Sequence, residues 1–312
     1  MSPLFPAPRD ARPAGAFPSG PALLFVTFLW GMNFVALRLA MAVFTPFVFR
    51  TILYTLSIAA LLGAALWWRI PLRVPLRRDR LHLVGSGLFS CGGFGLLASL
   101  GVVHAEAGRT AICIYTMPVW VALLSHVVLK DRITRAQAAA TGLCIAGLGV
   151  LLAPIWGTSA LFGAAISVAG GMVWAVGIVY LKWADVSAHP MTITIYQLGA
   201  GLAVSLAGLP LMPEPTHGPV TAAAVAALAY CILFATIITY PLWYAVLDRL
   251  SATTTGLGAL LVPVFGLGGS MLFLGERPTS ADYTGFGLIL GAAVIALACA
   301  RKDKEGATGA PS

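Results

Sequence analysis

The sequence has few charged residues, and this shortage excludes most classes of protein. Only 10% of its 312 residues are charged, whereas 59% are hydrophobic. Soluble globular domains carry about 25% charged residues. A chain of this length cannot hide so much apolar surface from water by folding alone. The composition therefore excludes an ordinary water-soluble domain and predicts an all-α protein embedded in a lipid bilayer.

Motifs for catalysis and for metal binding are also missing from the sequence. The five cysteines lie in apolar runs, without a CxxC pair or the spacing of metal ligands. The sequence contains no HExxH, no Gly-x-Ser-x-Gly turn and no phosphate-binding Gly-x-x-x-x-Gly-Lys. An intramembrane enzyme is disfavoured for this reason, and we predict no cofactor and no metal.

Long apolar runs take the place of these motifs. About 20 apolar residues are needed to cross the roughly 30 Å core of a bilayer as a helix. Short polar stretches separate runs that meet this requirement, so we predict ten transmembrane helices. The predicted spans are 21–43, 46–68, 81–103, 110–129, 136–154, 159–181, 190–211, 220–247, 252–274 and 281–300.

The positive charges predict the orientation of these spans. Most of the 19 lysines and arginines fall on one membrane side if the N-terminus is cytoplasmic, as in the cluster at 69–80. Cytoplasmic loops are enriched in cations, so both termini are predicted to be cytoplasmic. The net charge of +8 then reflects membrane topology, with lipid as partner and no nucleic acid. Residues 1–20, rich in Pro, Ala and Gly, are predicted to form a disordered cytoplasmic tail, and 301–312 a second cytoplasmic tail.

One short polar pattern occurs twice, which indicates an internal repeat. "LKDRIT" at 129–134 and "LGERPT" at 274–279 are 145 residues apart, as are Pro118 and Pro263. A weaker match at an offset of 144 pairs "W30…R38" with "W174…K182". Each copy holds five spans, an odd number, so the second copy enters the membrane in the opposite orientation. The predicted units are a first repeat at 21–154 and an inverted second repeat at 155–300.

Inverted repeats are typical of secondary transporters, which bind their substrate near the bilayer midplane. The chain also resembles the ten-helix, EamA-type branch of the drug/metabolite transporter superfamily. The motifs that carry the resemblance are "WGMNF" (30–34), Arg50, Pro118 with "LKDR" (129–132), "WAVGIVYLK" (174–182), Pro263 with "LGERP" (274–278) and the Gly-rich last helix from Gly285. Within this branch it is most similar to bacterial exporters of aromatic and other apolar amino acids.

The resemblance implies a multi-pass protein of the bacterial inner membrane that exports small apolar or aromatic amino acids. Transport would proceed by alternating access through a cavity between the repeats. An exporter of drugs, nucleobases or other metabolites is the alternative, with proton coupling as an open possibility. The oligomeric state stays open, and a monomer is compatible with the sequence.

An apolar substrate needs a cavity with aromatic walls and a few polar groups that orient it. Trp30 and Asn33 lie one helical turn apart and can share such a wall; the alternative is a lipid-facing Trp30 and an Asn33 that bonds a neighbouring helix. The predicted substrate-binding residues are Trp30, Asn33, Tyr115, Met117, Trp120, Trp174, Tyr180, Tyr196, Gln197 and Tyr240.

Prolines and glycines inside the spans are candidates for bending or packing. Pro118 and Pro263 remove a backbone hydrogen bond and can bend a helix. Hinge or gating roles are predicted for Pro118, Pro263, Gly92, Gly93 and Gly95, with packing kinks as the alternative for the prolines. Packing between helices is predicted for Gly142, Gly287 and Gly291.

Acidic residues are missing from the middle of the spans. All 11 lie in loops, tails or at span ends. Proton-coupled transporters place ionisable groups at the membrane centre, so facilitated diffusion is predicted here. Proton coupling stays an alternative because His126, an ionisable residue, lies within the fourth span. His104, Glu106 and Arg109 lie together in an outward loop and predict either an outer gate or a solvated hairpin.

Overall fold

A computed structural model describes residues 19–130, 135–212, 214–240, 242–243 and 260–308. Regular structure within these ranges is helical, apart from one isolated bridge between Phe44 and Thr216. The helices are α1 (Ser19–Met41), α2 (Pro46–Trp67), α3 (Arg77–His104), α4 (Ala107–Leu129), α5 (Arg135–Leu152, extended by a 3₁₀ turn Ala153–Ile155), α6 (Ser159–Ala184), α7 (Pro190–Gly208), α8 (Ala222–Ile238), α9 (Leu261–Leu274) and α10 (Ser280–Thr308).

Seven helices in the described ranges, α1 to α7, are long and apolar enough to cross a membrane. The described parts of α8 and α9 are shorter apolar helices. The predicted tail at 1–20 lies outside the described residues, except for Ser19 and Gly20, which begin α1. The loop at 131–134, the end of the eighth span and the start of the ninth also lie outside them. The prediction of an all-helical membrane protein is confirmed, while the number of ten spans stays a prediction.

Matching prolines start the second helix of each repeat. Pro46 and Pro190 stand in the first turn of α2 and α7, each after a residue with an extended backbone. Proline is favoured there because its missing N–H has no partner in the first turn of any helix. The two prolines are 144 residues apart, the same offset that relates Trp30 to Trp174.

The helix contacts show how the two repeats interleave. Helix α1 packs on α8 and α9 of the second repeat, and α6 packs on α3 and α4 of the first. Helices α2 and α7 pack on each other, as do α5 and α10. Each helix has a counterpart in the other repeat that is five helices away in the chain order. When every helix is exchanged with its counterpart, the same pairs of helices are in contact. The repeats therefore form one bundle with internal two-fold symmetry, and not two separate bundles.

Two groups of buried apolar side chains stabilise this bundle. The larger lies among α1, α2 and their neighbours and includes Leu37, Phe49 and Leu61. A second, which includes Ile112 and Leu151, lies among α4, α5 and α10. In a membrane, close packing of this kind is a main source of helix association.

The crossing of α5 and α10 brings two backbones into contact at glycines. A Cβ on Gly147 would lie 2.9 Å from Gly285 O, and one on Gly285 would lie 2.8 Å from Gly147 O. The packing role predicted for Gly142 and Gly287 is wrong, because no described residue of a neighbouring helix lies within 4 Å of a Cβ at either position; Gly291 makes an ordinary contact. Which glycine faces the crossing depends on helix rotation, which the spacing alone does not fix.

Backbone irregularities recur at the same repeat position. A π-helical segment, Leu88–Gly93, interrupts α3, and another, Leu233–Ile238, lies in α8 at an offset of 145 residues. Helix α4 is broken by a turn at Tyr115 and Thr116, and the turn residue Leu260 precedes α9, again 145 residues after Tyr115. π-Helical segments are rare and occur often at functional sites.

Candidate functional site

A cavity of about 120 Å³ lies between the two π segments and the break in α4. Its wall is drawn from both repeats. The first contributes Trp30, Asn33, Phe34, Leu37, Phe49, Arg50, Leu53, Tyr54, Ser90, Cys91, Phe94, Ile114 and Tyr115, and the second Trp174, Leu198, Ala235, Thr236 and Tyr240. Pockets for drug-sized ligands measure roughly 300–1,000 Å³. This cavity is smaller than those pockets, so in this conformation it has room only for a small molecule.

Half of the predicted substrate-binding residues lie in this wall. They are Trp30, Asn33, Tyr115, Trp174 and Tyr240. They come from α1, α4, α6 and the stretch that follows the π segment of α8. The structure brings these residues together from helices that are far apart in the sequence.

The other predicted residues, Met117, Trp120, Tyr180, Tyr196 and Gln197, lie outside the cavity wall. The Trp120 indole donates to Thr116 Oγ1 at 3.0 Å, within its own helix. Tyr180 Oη lies 2.9 Å from His82 Nδ1, and Gln197 Nε2 donates to Ser86 Oγ at 3.2 Å. Met117 and Trp120 follow the break in α4, and Leu198 is the α7 residue that reaches the wall instead of Tyr196 or Gln197.

Aromatic rings make one side of the cavity flat and apolar. Trp174 stacks on Phe94 with ring centroids 4.7 Å apart and an interplanar angle of 18°. Tyr115 meets Trp174 edge-on at 6.3 Å. Offset stacked and edge-on pairs are the favoured arrangements of aromatic rings. Phe94, which sequence reasoning missed, therefore completes the wall at Trp174.

Trp30 faces the cavity, one of the two orientations predicted for it. Its ring lies 6.2 Å from Tyr240 and 5.0 Å from Trp243. Its indole Nε1 donates to Ala235 O at 3.2 Å. Trp30 and Trp174 are the equivalent tryptophans of the two repeats, and both lie in the wall.

Aromatic donors bond to the π segments of α3 and α8. Tyr54 Oη donates to Cys91 O at 2.6 Å in the first segment, and Trp30 Nε1 donates to Ala235 O in the second. A π segment disturbs the regular i→i−4 pattern, and a side-chain donor can satisfy a carbonyl displaced in this way. The first repeat thus supplies both aromatic donors, Tyr54 to its own π segment and Trp30 to the π segment of the second repeat.

The glycines predicted as hinges permit close contacts at the first π segment. A Cβ on Gly92 would lie 2.9 Å from Val204 Cγ2, and one on Gly93 would lie 2.8 Å from Val173 Cγ1. At Gly95 it would collide with Tyr54 Oη. These glycines let α3 approach its neighbours, and their hinge role stays a prediction. Pro118 and Pro263 lie in the first turn of the segments that follow the breaks at Tyr115 and Leu260.

Arg50 brings a positive charge to the wall of the cavity. Its Nε donates to Ser99 Oγ at 2.9 Å, and its Cζ lies 5.5 Å from the Phe49 ring centroid and 5.9 Å from that of Tyr54. No Asp or Glu is among the described residues of the wall. Sequence reasoning used Arg50 as a cation near the outer end of a span and as a family match, although an arginine within an apolar helix is itself a signal of function.

One end of the bundle is joined by charged residues from both repeats. Arg109 makes a bidentate ion pair with Asp282, at 2.8–2.9 Å. Glu276 accepts hydrogen bonds from the N–H groups of Ala107 and Gly108, at 2.7 and 3.0 Å. A carboxylate at the first turn of a helix is favoured by the free N–H groups there. We call Arg109, Asp282 and Glu276 the ion-pair cluster.

The ion-pair cluster lies at the end where α1 and α3 finish. There the Arg38 side chain, from the last turn of α1, bonds Val102 O and Val103 O near the end of α3. At this end the α1–α2 loop also bonds to the α7–α8 loop, with His217 N donating to Val43 O at 2.8 Å. The contacts join loops of the first repeat to loops of the second.

Two of the three residues predicted as an outer gate contact this cluster. Arg109 is part of it, and Glu106 lies 3.9 Å from Arg109. Burial raises the pKa of the Glu106 carboxyl, although the Arg109 charge opposes this rise. His104 instead packs edge-on against Phe162, with ring centroids 5.2 Å apart.

Comparison with known proteins agrees with this two-repeat architecture. The EamA-like transporter family matches residues 20–153 and again residues 161–298. The chain belongs to the EamA-like transporter family. It is therefore a multi-pass membrane transporter built from two copies of the family unit.

Several curated proteins are similar to this transporter over most of its length. A protein of Archaeoglobus fulgidus named as an uncharacterized transporter is 23% identical over 86% of this chain and 94% of its own length. A probable terminal-alkyne amino-acid exporter of Streptantibioticus cattleyicolor is 27% identical, over 82% and 86%. A probable amino-acid metabolite efflux pump of Salmonella typhimurium is 26% identical, over 86% and 90%.

A solved crystal structure has a similar fold. It covers 91% of this chain and 98% of its own, with a TM-score of 0.63 at 23% identity. At this identity the likeness concerns the fold alone.

Proposed function

We propose that this transporter exports small apolar or aromatic amino acids by alternating access through the cavity described above. The observation that carries the proposal is the cavity wall, which combines equivalent residues of both repeats, Trp30 and Trp174, with a single cation, Arg50. Aromatic walls suit apolar side chains. Two of the similar proteins are named as amino-acid exporters or efflux pumps, which supports the same substrate class.

The proposed topology has ten transmembrane helices, as inverted repeats at 21–154 and 155–300, in a bacterial inner membrane with both termini cytoplasmic. The asymmetry of the cations between loops supports it. It requires residues 131 and 276 to emerge on opposite membrane surfaces. Single cysteines at these positions, labelled from one side of intact cells in a variant without the native cysteines, test this. Labelling of both from the same side would contradict the proposed inversion.

Alternating access needs elements that can change shape beside the cavity. The π segments of α3 and α8 and the breaks before Pro118 and Pro263 are candidates, because the backbone there departs from a regular helix. The two π segments and the break at Tyr115 supply residues to the wall. In this proposal Gly92, Gly93 and Gly95 allow the α3 segment to move against α2, α6 and α7. The ion-pair cluster closes the outer end of the cavity in one of the two states.

Facilitated diffusion is the proposed mode of transport. The described wall holds no carboxylate that could carry a proton through the membrane. Net flow would then follow the concentration gradient of the substrate, and export would result when the cytoplasmic concentration is the higher one.

Counterflow by the purified protein in liposomes tests the function. Vesicles preloaded with Phe, Trp, Met or Leu are compared with vesicles preloaded with an anionic sugar or a cationic dye, with and without a pH gradient. We expect counterflow of the amino acids that does not depend on the gradient. Counterflow of the dye alone, or a strict requirement for the gradient, would favour a proton-coupled exporter of other compounds.

A tryptophan variant tests the cavity in the same assay. Trp174→Ala removes the ring that stacks on Phe94, and we expect it to slow counterflow at least tenfold while the protein still folds. Trp156→Ala is the matched control, since Trp156 is 77% exposed outside the cavity. Unchanged counterflow by Trp174→Ala at normal expression would remove Trp174 from the site.

A further inference from the structure

The arginines Arg38, Arg50 and Arg109 lie in α1, α2 and α4, and two of them have strong partners. Arg38 donates to the carbonyl groups of Val102 and Val103, at the negative end of α3. Arg109 pairs with Asp282 through two parallel hydrogen bonds. The positive charge of each is therefore compensated within the protein.

Arg50 is different, because its partners are neutral. Its Nε donates to Ser99 Oγ, and its Cζ lies 5.9 Å from the centroid of the Tyr54 ring. No ion pair joins Arg50 to an acidic group in the described part of the chain. A guanidinium has five N–H donors, and the bond to the Ser99 hydroxyl uses one of them. A charge in an apolar protein interior that lacks a counter-charge is costly.

Ser99 holds the guanidinium in place. Its hydroxyl accepts from Arg50 Nε and itself donates to Gly95 O at 3.0 Å, one turn earlier in α3. Ser99 is fully buried, so the bond is shielded from water. Nε is thus fixed on the protein side, while the arginine lines the cavity.

The second repeat has no equivalent of this charge. At the offset of 144 that relates Pro46 to Pro190, Arg50 corresponds to Thr194 and Tyr54 to Leu198. The Thr194 hydroxyl donates back to Pro190 O of its own helix, and Leu198 is an apolar part of the wall. The cavity is therefore symmetric in its tryptophans and asymmetric in its charge, which would orient a substrate with one anionic end.

We propose that Arg50 binds the carboxylate of the transported molecule and makes a free carboxylate a requirement for transport. This inference rests on the proposed function and specifies how the cavity selects its substrate. Arginine suits the role because its planar guanidinium matches a carboxylate with two parallel hydrogen bonds. Asn33, which also lines the cavity, supplies the amide oxygen that accepts from the ammonium group.

Three analogues that share one aromatic ring test the requirement in the unaltered transporter. Each competes against labelled Phe in counterflow: unlabelled Phe, phenylalaninamide, which lacks the carboxylate, and 3-phenylpropionate, which lacks the ammonium group. A charge-assisted hydrogen bond contributes about 1.5–3 kcal/mol, or roughly 10- to 100-fold in affinity. We expect phenylalaninamide to compete 10- to 100-fold more weakly than Phe, and 3-phenylpropionate to lose less.

Variants assign this preference to Arg50. Arg50→Gln is expected to weaken Phe competition about 10- to 100-fold and to abolish the preference for Phe over phenylalaninamide. Arg50→Lys keeps the charge without the planar pair of donors and should retain part of the preference. Ser99→Ala keeps the charge of Arg50 but removes the hydroxyl group that holds its guanidinium in place. We therefore expect a smaller loss of the preference for Phe over phenylalaninamide. Arg38→Gln is the matched control, since Arg38 does not line the cavity. The transporter with this substitution should prefer Phe over phenylalaninamide as strongly as the unaltered protein does.

The outcomes separate the two proposals. Absence of amino-acid counterflow in the unaltered transporter overturns the proposed function, and the role of Arg50 with it. Counterflow of Phe with equal competition by phenylalaninamide overturns only the carboxylate requirement. A preference that persists unchanged in Arg50→Gln assigns the carboxylate to another residue. If Arg50→Gln does not fold, Arg50→Lys and Ser99→Ala decide, and an unchanged preference in both overturns the assignment.

Discussion

In the first repeat the π segment contains Gly92 and Gly93, whereas the equivalent positions of the second repeat hold Ile237 and Ile238. Glycine destabilises a helix, and β-branched isoleucine restricts its own side chain, yet both segments are π-helical. Glycine is therefore not what produces the irregularity. The segments share a position beside the cavity and an aromatic donor, from Tyr54 or Trp30, to one of their carbonyl groups.

The ends of the two repeats differ more than their centres. Arg109 and Asp282 form a buried ion pair, and the residues 145 positions away in the sequence are Thr254 and Gln137, which are neutral. A bidentate pair of this kind can form at only one of the two equivalent places. The backbone of the repeat is thus duplicated more faithfully than its charged side chains. Because these charged residues differ between the repeats, the two membrane sides can behave differently.

The largest effect is expected from breaking that ion pair. Asp282→Asn removes the bidentate anion of the Arg109 guanidinium, which is only 9% exposed, and leaves the half-exposed Glu106, 3.9 Å away, as its remaining acidic neighbour. Removing one partner of a buried pair costs about 3–5 kcal/mol, so we expect the free energy of unfolding to fall by that amount. Thermal or denaturant unfolding in detergent measures it.

A double variant sharpens the comparison of the two ends. Arg109→Thr with Asp282→Gln installs the residue types of the equivalent positions and leaves no buried charge unpaired. It should recover much of the stability lost in Asp282→Asn, because removal of both partners avoids most of the desolvation penalty. A double variant less stable than Asp282→Asn would show that the pair does not act in this way.

The second largest effect is expected at the crossing of α5 and α10. Gly285→Ala places a methyl group against the Gly147 carbonyl, and overpacking of this kind costs about 1–3 kcal/mol. Gly287→Ala, on the same helix, and Gly142→Ala, its equivalent in the first repeat, enter open space and should be neutral or slightly stabilising. Unfolding midpoints of the three variants provide the test, and equal loss in Gly287→Ala would place the crossing elsewhere.

A smaller effect is expected from the aromatic donors to the π segments. Tyr54→Phe removes the bond to Cys91 O, and Trp30→Phe removes the bond to Ala235 O. Each loss should cost about 0.5–1.5 kcal/mol, with the larger cost at Tyr54, where the bond is the shorter. Tyr283→Phe is the control, since this tyrosine is 50% exposed. If neither variant differs from the control in unfolding, the donors do not support the segments.

Sequence reasoning predicted the helices and the repeat because these follow from bulk properties. A run of about 20 apolar residues predicts a membrane-spanning helix, whichever way the helix is rotated about its axis. Motifs that recur at one offset indicate a duplication. The side chains that face the cavity depend on rotation, and each π segment or break changes the helical phase. For this reason Met117 and Trp120, beyond the break in α4, were predicted in the wall and lie outside it.

Arg50 shows a second limit of the sequence. It stands in the second turn of α2, close to the start of a span. From the sequence alone it cannot be distinguished from an arginine that lies at the end of a span. Only the packing of α2 against α3 brings Ser99 and the cavity to its side chain. The asymmetry between Arg50 and Thr194 likewise becomes visible only once Pro46 and Pro190 fix the offset of the two helices.

The smallest effect is expected from Glu106, beside the ion-pair cluster, whose equivalent in the second repeat is the neutral Ser251. Burial raises its pKa, so folding favours the protonated form, and the ionised form lowers stability as pH rises above the ordinary pKa of a glutamate. Glu106→Gln should therefore unfold at a slightly higher temperature than the unaltered protein at neutral pH, and this difference should vanish in acid, where both carry a neutral side chain. Melting temperatures of the two proteins across pH measure this. A lower melting temperature for Glu106→Gln at neutral pH would mean that attraction to Arg109 outweighs burial and that Glu106 belongs to the cluster.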